Sequence, residues 1–384
     1  MSNRQYYIAS GEWMQTSMGY RAPFLLCHKL NELGLEAYVT AKEKAPILNT
    51  PLLTQEIIQK HKSEGKEIIA VYNDGIWGNI LQGDVVVRWM MHRVGKQVHL
   101  LPPSDDLFYF WEPAYTAAPD SSKYLWLSCV DEQIFNTQGT CEKKRQGYAY
   151  YAHKYIRDGK GIISNKVKEN GISLCQDIPR TTDEIADILR SVEVLYVYEE
   201  TVLAVEAAYC GCTVVFIQNE HMKDVFPGNI GDYMIMEYDF NPHKPWKPNN
   251  RTLKLYSDIC KKSEVFLKDF IDTTQNIKVY ALKNDEFNNF VNKYDDIYIF
   301  GTGITSQMVS NLLKVVGVMI KGSIISDKYY SKEMAKANIQ PFSKFIELKQ
   351  KNIGVILAMM KTNAEEVFPI LNENNINFYN PVLL

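Results

Sequence analysis

No stretch of this chain carries the roughly 20 consecutive apolar residues that a membrane-crossing helix needs, so any membrane association would be peripheral. There is no surplus of positive charge either. The 42 Lys and Arg residues face 45 Asp and Glu, a net charge of −3, and no basic field points to nucleic acid as the main partner. The seven cysteines are odd in number, scattered, and form no Cys-x-x-Cys pair. That excludes a disulfide framework and the usual zinc spacings, and it fits reduced thiols in a cytosol. Low-complexity tracts and short fixed-period repeats are also lacking, which sets aside solenoids and fibrous classes. Met1–Arg4 is polar and short, and Tyr6–Ala9 reads as a first strand rather than a signal peptide. The expected location is cytoplasmic, with peripheral association at an inner membrane as an accompanying expectation.

What remains is an ordinary globular composition, 46% hydrophobic and 23% charged, over 384 residues. That length suffices for two or three domains of about 100–200 residues each. Short apolar runs alternate with helical ones. Tyr6–Ala9, Glu36–Thr40, Glu67–Tyr72 and Gln97–Leu101 read as strands. Ala22–Leu33, Leu53–Glu64 and Val85–Arg93 read as helices, closed by Gly34, Gly65 and Gly95. This rhythm predicts mostly parallel sheets covered on both faces. A charged junction near Cys141–Gly147 precedes a second βα series, in which Thr181 or Thr182 caps the helix Thr182–Arg190. The proline-rich stretch Asn241–Asn250 cannot be regular structure, and Arg251–Thr273 reads as a long amphipathic helix. The predicted layout is a domain over 1–141, a second over 142–250, a crossing helix over 251–276 and a third, smaller α/β domain over 277–384.

Several constellations could carry chemistry. The string Thr201–Val215 places Glu206 on a short helix that ends at Gly211 and runs into a strand. At the carboxyl edge of a parallel sheet such a helix borders the ligand crevice, and its carboxylate can hold ribose hydroxyls; the alternative is a solvated surface glutamate. The loop Ser10–Arg21 contains Glu12, Ser17, Gly19 and Arg21 before a helix, where glycine allows close backbone approach and Arg21 could bind an anion. His28, on the apolar face of that helix, reads as a satisfied core histidine. Asp74, after a strand, and Glu112, after the aromatic run Phe108–Trp111, both stand where a base could take a proton, or where a loop carboxylate could simply cap. The basic turn from Arg145 to Gly161 includes Lys154, Arg157 and Lys160, equally readable as a solvated cluster. Finally, Gly301-Thr-Gly303-Ile-Thr-Ser306 follows a strand, opens a helix and precedes Asp327 near the end of the next strand, a dinucleotide-type fingerprint with serine in place of the third glycine.

Together these residues resemble GT-B glycosyltransferases of bacterial surface-polysaccharide pathways. Glu206-Ala-x-x-x-Gly211-x-Thr213-Val-Val is similar to their donor-binding element, with Thr213 where they carry proline. The segment from Ser10 to Val39 is similar to their opening loop and helix, with Met18 replacing a glycine. The resemblance covers roughly residues 5–220. It implies two Rossmann-like domains facing a cleft, plus a small Rossmann-like domain resembling those attached to sugar-modifying enzymes. It implies transfer of a sugar from a nucleotide-sugar donor onto a cell-surface glycan or glycolipid, of lipopolysaccharide or capsule type, without a metal or resident cofactor. Donor-binding roles then fall on Glu206, Thr201, Arg145, Lys154 and Lys160, acceptor-loop roles on Glu12, Ser17, Gly19 and Arg21, and catalytic roles on Asp74, Glu112 and Glu199. Retaining members carry a second glutamate at the position that is Tyr198 here, with Glu199 and Glu200 alongside, so stereochemistry stays open. A nucleotide-sugar epimerase of the same architecture and a non-catalytic scaffold of polysaccharide assembly are the two rival readings.

Overall fold

The computed structural model describes residues 3–94, 104–138, 145–157, 161–220, 235–241, 244, 251–279, 286–347, 352–359 and 361–382. The chain is α/β, with three wholly parallel sheets in two compact units. One unit comprises Met1–Met14, Gly19–Trp126 and Leu267–Leu384; the other comprises Gln15–Met18 and Leu127–Phe266.

The first sheet contains β1 (Gln5–Ile8), β2 (Ala37–Val39), β3 (Ile68–Asn73), β4 (Val85–Met90), β5 (Leu107–Phe110) and β6 (Lys123–Tyr124), in the order β2-β1-β3-β4-β5-β6. The chain runs outward from β1 to β2, then crosses back to place β3 on the other side of β1. That reversal is the topological switch point, and parallel α/β sheets bind ligands outside the carboxyl ends of the strands there. The strands are buried almost throughout, as expected when both faces are covered.

β4 corrects an expectation. Val85–Arg93 reads as a helix by its spacing, but Val85–Met90 is a strand in register with β3, Asn73 opposite Trp89. Three consecutive β-branched residues lose side-chain freedom in a helix and pack well on a pleated surface. A strand buried on both faces also shows no alternation to betray it. The expected strand Gln97–Leu101 lies outside the described residues.

The second unit holds β7 (Tyr148–Tyr151), β8 (Ile172–Ser173), β9 (Val194–Val197), β10 (Thr213–Ile217) and β11 (Ile235–Glu237), ordered β11-β10-β9-β7-β8. Its switch point lies between β7 and β9. Thr181 is the cap of the helix Thr182–Ser191, in a reciprocal box with Glu184. The helix Leu203–Tyr209 ends as Gly211 N–H and Cys212 N–H return to the carbonyls of Ala208 and Ala207.

The third sheet is built from β12 (Asp296–Phe300), β13 (Ile320–Ile325), β14 (Ile339–Pro341), β15 (Ile353–Leu357) and β16 (Phe378–Tyr379), ordered β14-β13-β12-β15-β16. It does not stand apart from the first. Tyr7, Tyr72, Ile76 and Ile80 of the first sheet and its loops share one buried cluster with Phe287, Ile297, Val309 and Leu312. The long helix Arg251–Asn276 packs by its last turns on the first sheet as well, with Phe270 against Tyr6 and Tyr109. No helix among the described residues is long and apolar enough to cross a membrane.

Candidate active site

Asp74 is the residue immediately after β3, and His92 lies two beyond the end of β4. Because these strands are parallel neighbours, both residues emerge at the same carboxyl edge, Asp74 from the strand that borders the switch point and His92 from the next. The Asp74 carboxylate is 3% exposed. It accepts the Met91 N–H at 2.8 Å and faces His92 Nδ1 at 3.1 Å from each oxygen. The His92 side chain is 35% exposed. A carboxylate opposite Nδ1 favours the tautomer with its proton there, leaving Nε2 as the proton acceptor. The sequence expects an acceptor base at Asp74 or Glu112; in the structure Asp74 is buried against His92, which is the more exposed of the two. Reading Val85–Met90 as a strand would have exposed this, since it puts His92 at the edge Asp74 occupies.

The loop leaving Asp74 is fixed by Arg88 on β4. This guanidinium lies over the rings of Tyr72 and Trp77, 4.8 and 4.6 Å from their centroids. It donates to Asp106 Oδ2 at 2.7 Å and to the carbonyls of Ile76 and Gly78. Further along the edge Trp89, Trp111 and Trp126 form a run of tilted rings, with successive centroids 5.7 and 5.9 Å apart. Glu112 follows Trp111 and precedes a single turn of 3-10 helix.

At the end of β1, Ser10 joins two loops: its N–H donates to Thr40 Oγ1, and its Oγ accepts from Ala41 N–H. Glu12 Oε2 accepts the Lys42 N–H at 3.1 Å, and its Oε1 accepts from Asn311 Nδ2 at 2.7 Å. Arg21 is buried in the helix Met18–Glu32, Gly19 is exposed with open space beside it, and Ser17 is half-buried in the other unit. His28 Nδ1 accepts the Asn49 N–H, a satisfied position.

In the second unit, Glu199 lies two residues past β9 at its switch point and is 1% exposed. Its Oε2 accepts the Tyr155 N–H at 2.7 Å, so it holds the segment after β7. Tyr198 stacks on Tyr155, centroids 5.4 Å apart. Burial and the nearby Glu199 charge push the Tyr151 phenol well up. Thr201 Oγ1 accepts the Leu203 N–H, Glu206 is buried on the following helix, and Lys154 is half-buried in the helix His153–Arg157. Arg145 does not join them. It precedes β7, and its guanidinium donates to the carbonyls of Leu189, Val192 and Cys210, at the amino edge of the sheet. Its role there is to close the ends of two helices, and the expectation of donor binding at that residue does not match its place. Lys160 lies outside the described residues. Burial raises the thiol of Cys210 to about 11 and that of Cys212 to about 12. No group of three or more His, Cys, Asp or Glu able to hold a metal occurs among the described residues.

The fingerprint of the third sheet folds as expected: β12, a turn, and the helix Ile304–Val315. Gly301 is required by the fold, since at φ +130° an added Cβ would strike the Ala358 carbonyl oxygen. Ser306 Oγ donates back to the Gly301 carbonyl at 2.8 Å, while Gly303 has open space around it. Asp327 follows β13 and is engaged by Ser343 through both N–H and hydroxyl.

No protein-family model matches this chain, and no curated protein does. Among solved structures it is similar to the glycosyltransferase SnogD from Streptomyces nogalater, at 10% identity and a TM-score of 0.32, over 71% of this chain and 96% of that one. It is also similar to the NAD+-bound 3-phosphoglycerate dehydrogenase of Entamoeba histolytica, at 12% identity and a TM-score of 0.19, over 73% and 99%. Likenesses this distant leave the functional reading to the site itself.

Proposed function

We propose that the protein is a glycosyltransferase that moves a sugar from a nucleotide-sugar donor to a hydroxyl of a cell-surface glycan or glycolipid. The observation that carries the reading is the Asp74–His92 pair at the carboxyl edge of the first sheet, beside its switch point. In the reaction, the acceptor O–H gives its proton to His92 Nε2 as its oxygen bonds to the anomeric carbon. The bond from that carbon to the donor phosphate oxygen breaks, and the electron pair leaves with the nucleotide. Asp74 accepts from Nδ1–H throughout and stabilises the imidazolium that forms. Trp111, the half-buried ring of that run, supplies flat apolar surface of the kind sugar rings pack on, backed by the buried Trp89 and Trp126.

The donor is assigned to the carboxyl edge of the second sheet, with Glu206 on the ribose hydroxyls and Thr201 and Lys154 near the phosphates. A single displacement assisted by His92 inverts the anomeric carbon, in keeping with Tyr198 at the place of the glutamate that retaining relatives carry. The test is direct. Thermal-shift screening against a nucleotide-sugar panel identifies the donor, and transfer is then followed with His92→Ala and Asp74→Asn. Transfer should fall about 10²–10⁴-fold in each, the range for loss of a positioned base or of its orienting group. Glu206→Ala should weaken donor binding by about 1–3 kcal/mol, the cost of a lost hydrogen-bonded carboxylate. Wild-type turnover of the donor alone, with no transfer to any acceptor, would sink the reading in favour of an epimerase.

A further inference from the structure

The third sheet touches the first at the loops that frame the candidate site. Asn311, on the helix Ile304–Val315, is 5% exposed among the buried Val309, Leu312 and Leu313. An amide in such surroundings is costly unless bonded, and its Nδ2 donates to Glu12 Oε1 at 2.7 Å. Glu12 in turn accepts the Lys42 N–H. One carboxylate therefore ties the loop after β1, the loop after β2 and the third sheet's helix. On the same helix Met308 Sδ lies 4.0 Å from Asn73 Nδ2, one residue before Asp74. Past β16, the Pro381 carbonyl accepts the Trp77 N–H, and Tyr379 lies so close to Gly78 that any Cβ there would overlap its hydroxyl. Gly78, at φ +84°, belongs to the loop that leaves Asp74.

We propose that the C-terminal sheet is a positioning module for the candidate site, with Asn311 a positioning residue that acts through Glu12 on the loop after β1. The inference deepens the transferase reading and rests on it for its catalytic consequence, but not for its physical content. Ligand binding at the glycine turn is not needed for it; the same helix serves by the face it turns to Glu12.

The experiment is a polarity swap read by hydrogen exchange in the full chain. Asn311→Asp sets two carboxylates against each other, and amides of residues 10–14 and 41–46 should exchange about tenfold faster. Glu12→Gln combined with Asn311→Asp restores the bond in reverse, the Gln amide donating to Asp, and should return protection to near the wild-type level. Asn311→Ser, smaller and uncharged, serves if Asn311→Asp does not fold, and should also raise exchange in the same two segments. Unchanged protection in the single variants, or a swap that rescues nothing, overturns the proposal. Where transfer is measurable, the single variant should lower kcat about tenfold and leave donor KM unchanged, as misplacing a reacting partner does; equal losses in both would mean general disruption and overturn it. Absent transfer by the wild type would refute the functional reading, while the exchange data decide the coupling by themselves.

Discussion

Arg88 offers the sharpest test of how the edge of the first sheet is held. Arg88→Met keeps length and apolar volume and removes the guanidinium. Asp106 loses its partner, the carbonyls of Ile76 and Gly78 lose their donors, and the rings of Tyr72 and Trp77 lose the cation between them. Breaking a buried pair by removing one member costs about 3–5 kcal/mol. Each lost hydrogen bond to a charged group is worth about 1.5–3 kcal/mol by itself. These contributions overlap in a single network and do not add. Asp106 also keeps 18% of its side chain in water, which eases its loss. The expected cost is therefore near the lower end, about 3 kcal/mol, a large share of the roughly 5–15 kcal/mol that holds a typical domain.

Urea unfolding followed by tryptophan fluorescence reads this directly, because Trp77 lies on the guanidinium and Trp89 is its chain neighbour. The midpoint should drop with little change in slope. Arg88→Lys should fall between, since an ammonium cannot reproduce the planar fork that serves Asp106 and two carbonyls. The double variant Arg88→Met, Asp106→Asn removes the orphaned charge and should recover at least about 1 kcal/mol, a coupling typical of groups in contact. A loss below about 1 kcal/mol for Arg88→Met, within the range of ordinary surface changes, would refute the view that this arginine organises the loop leaving Asp74.

Three further outcomes follow from the same structure. Glu36 tests pH dependence: burial alone would raise its carboxyl, but hydrogen bonds from Tyr38 and His61 and the His61 charge hold it below its ordinary 4.5. A depressed folded pKa contributes stability above the unfolded value that is lost as pH falls through the folded one. Melting temperature should therefore drop on acidification below about pH 4.5, and Glu36→Gln should flatten that drop; an unchanged acid limb would contradict the assignment. In the glycine turn, Gly303→Ala should leave stability within about 0.5 kcal/mol, because its surroundings are open, whereas Gly301→Ala should destabilise by more than about 1 kcal/mol from backbone strain and the Ala358 contact. Equal effects in thermal melts would mean that the turn is not built as described. Lastly, Cys210 and Cys212, with thiols raised by burial, should resist alkylation at pH 8 in the native protein and react once denatured, as mass spectrometry of labelled peptides can show.

Much of the fold could be read from the sequence because its signals were local. Thr181 with Glu184 three residues on marks a helix start, Gly211 marks an end, and Gly301 to Ser306 marks a strand–turn–helix whatever surrounds it. β4 escaped because its evidence is not local. A strand buried on both faces has no period of two, and Val85–Met90 differs from a buried helix only through its neighbours β3 and β5. That single misreading also hid His92. On a helix its direction would be set by a 3.6-residue turn; after a strand it must come out at the edge where Asp74 sits.

The site was less legible than the fold for a related reason: charge says nothing about which edge of a sheet it will occupy. Arg145 and Lys154 are nine residues apart in the sequence and read as one basic cluster. Four consecutive residues of β7 separate the two ends, so the strand carries Arg145 to the amino edge and Lys154 past the carboxyl edge. Only the second faces the side where parallel sheets take ligands. Glu12 and Asn311 show the complementary case, 299 positions apart yet bonded. Neither an acidic loop residue nor a polar residue on an apolar helix face points to the other until the third sheet is packed on the first. Part of what holds the loops around Asp74 in place is thus contributed by the far end of the chain, through Asn311 on Glu12, Met308 beside Asn73 and the Pro381 carbonyl on Trp77.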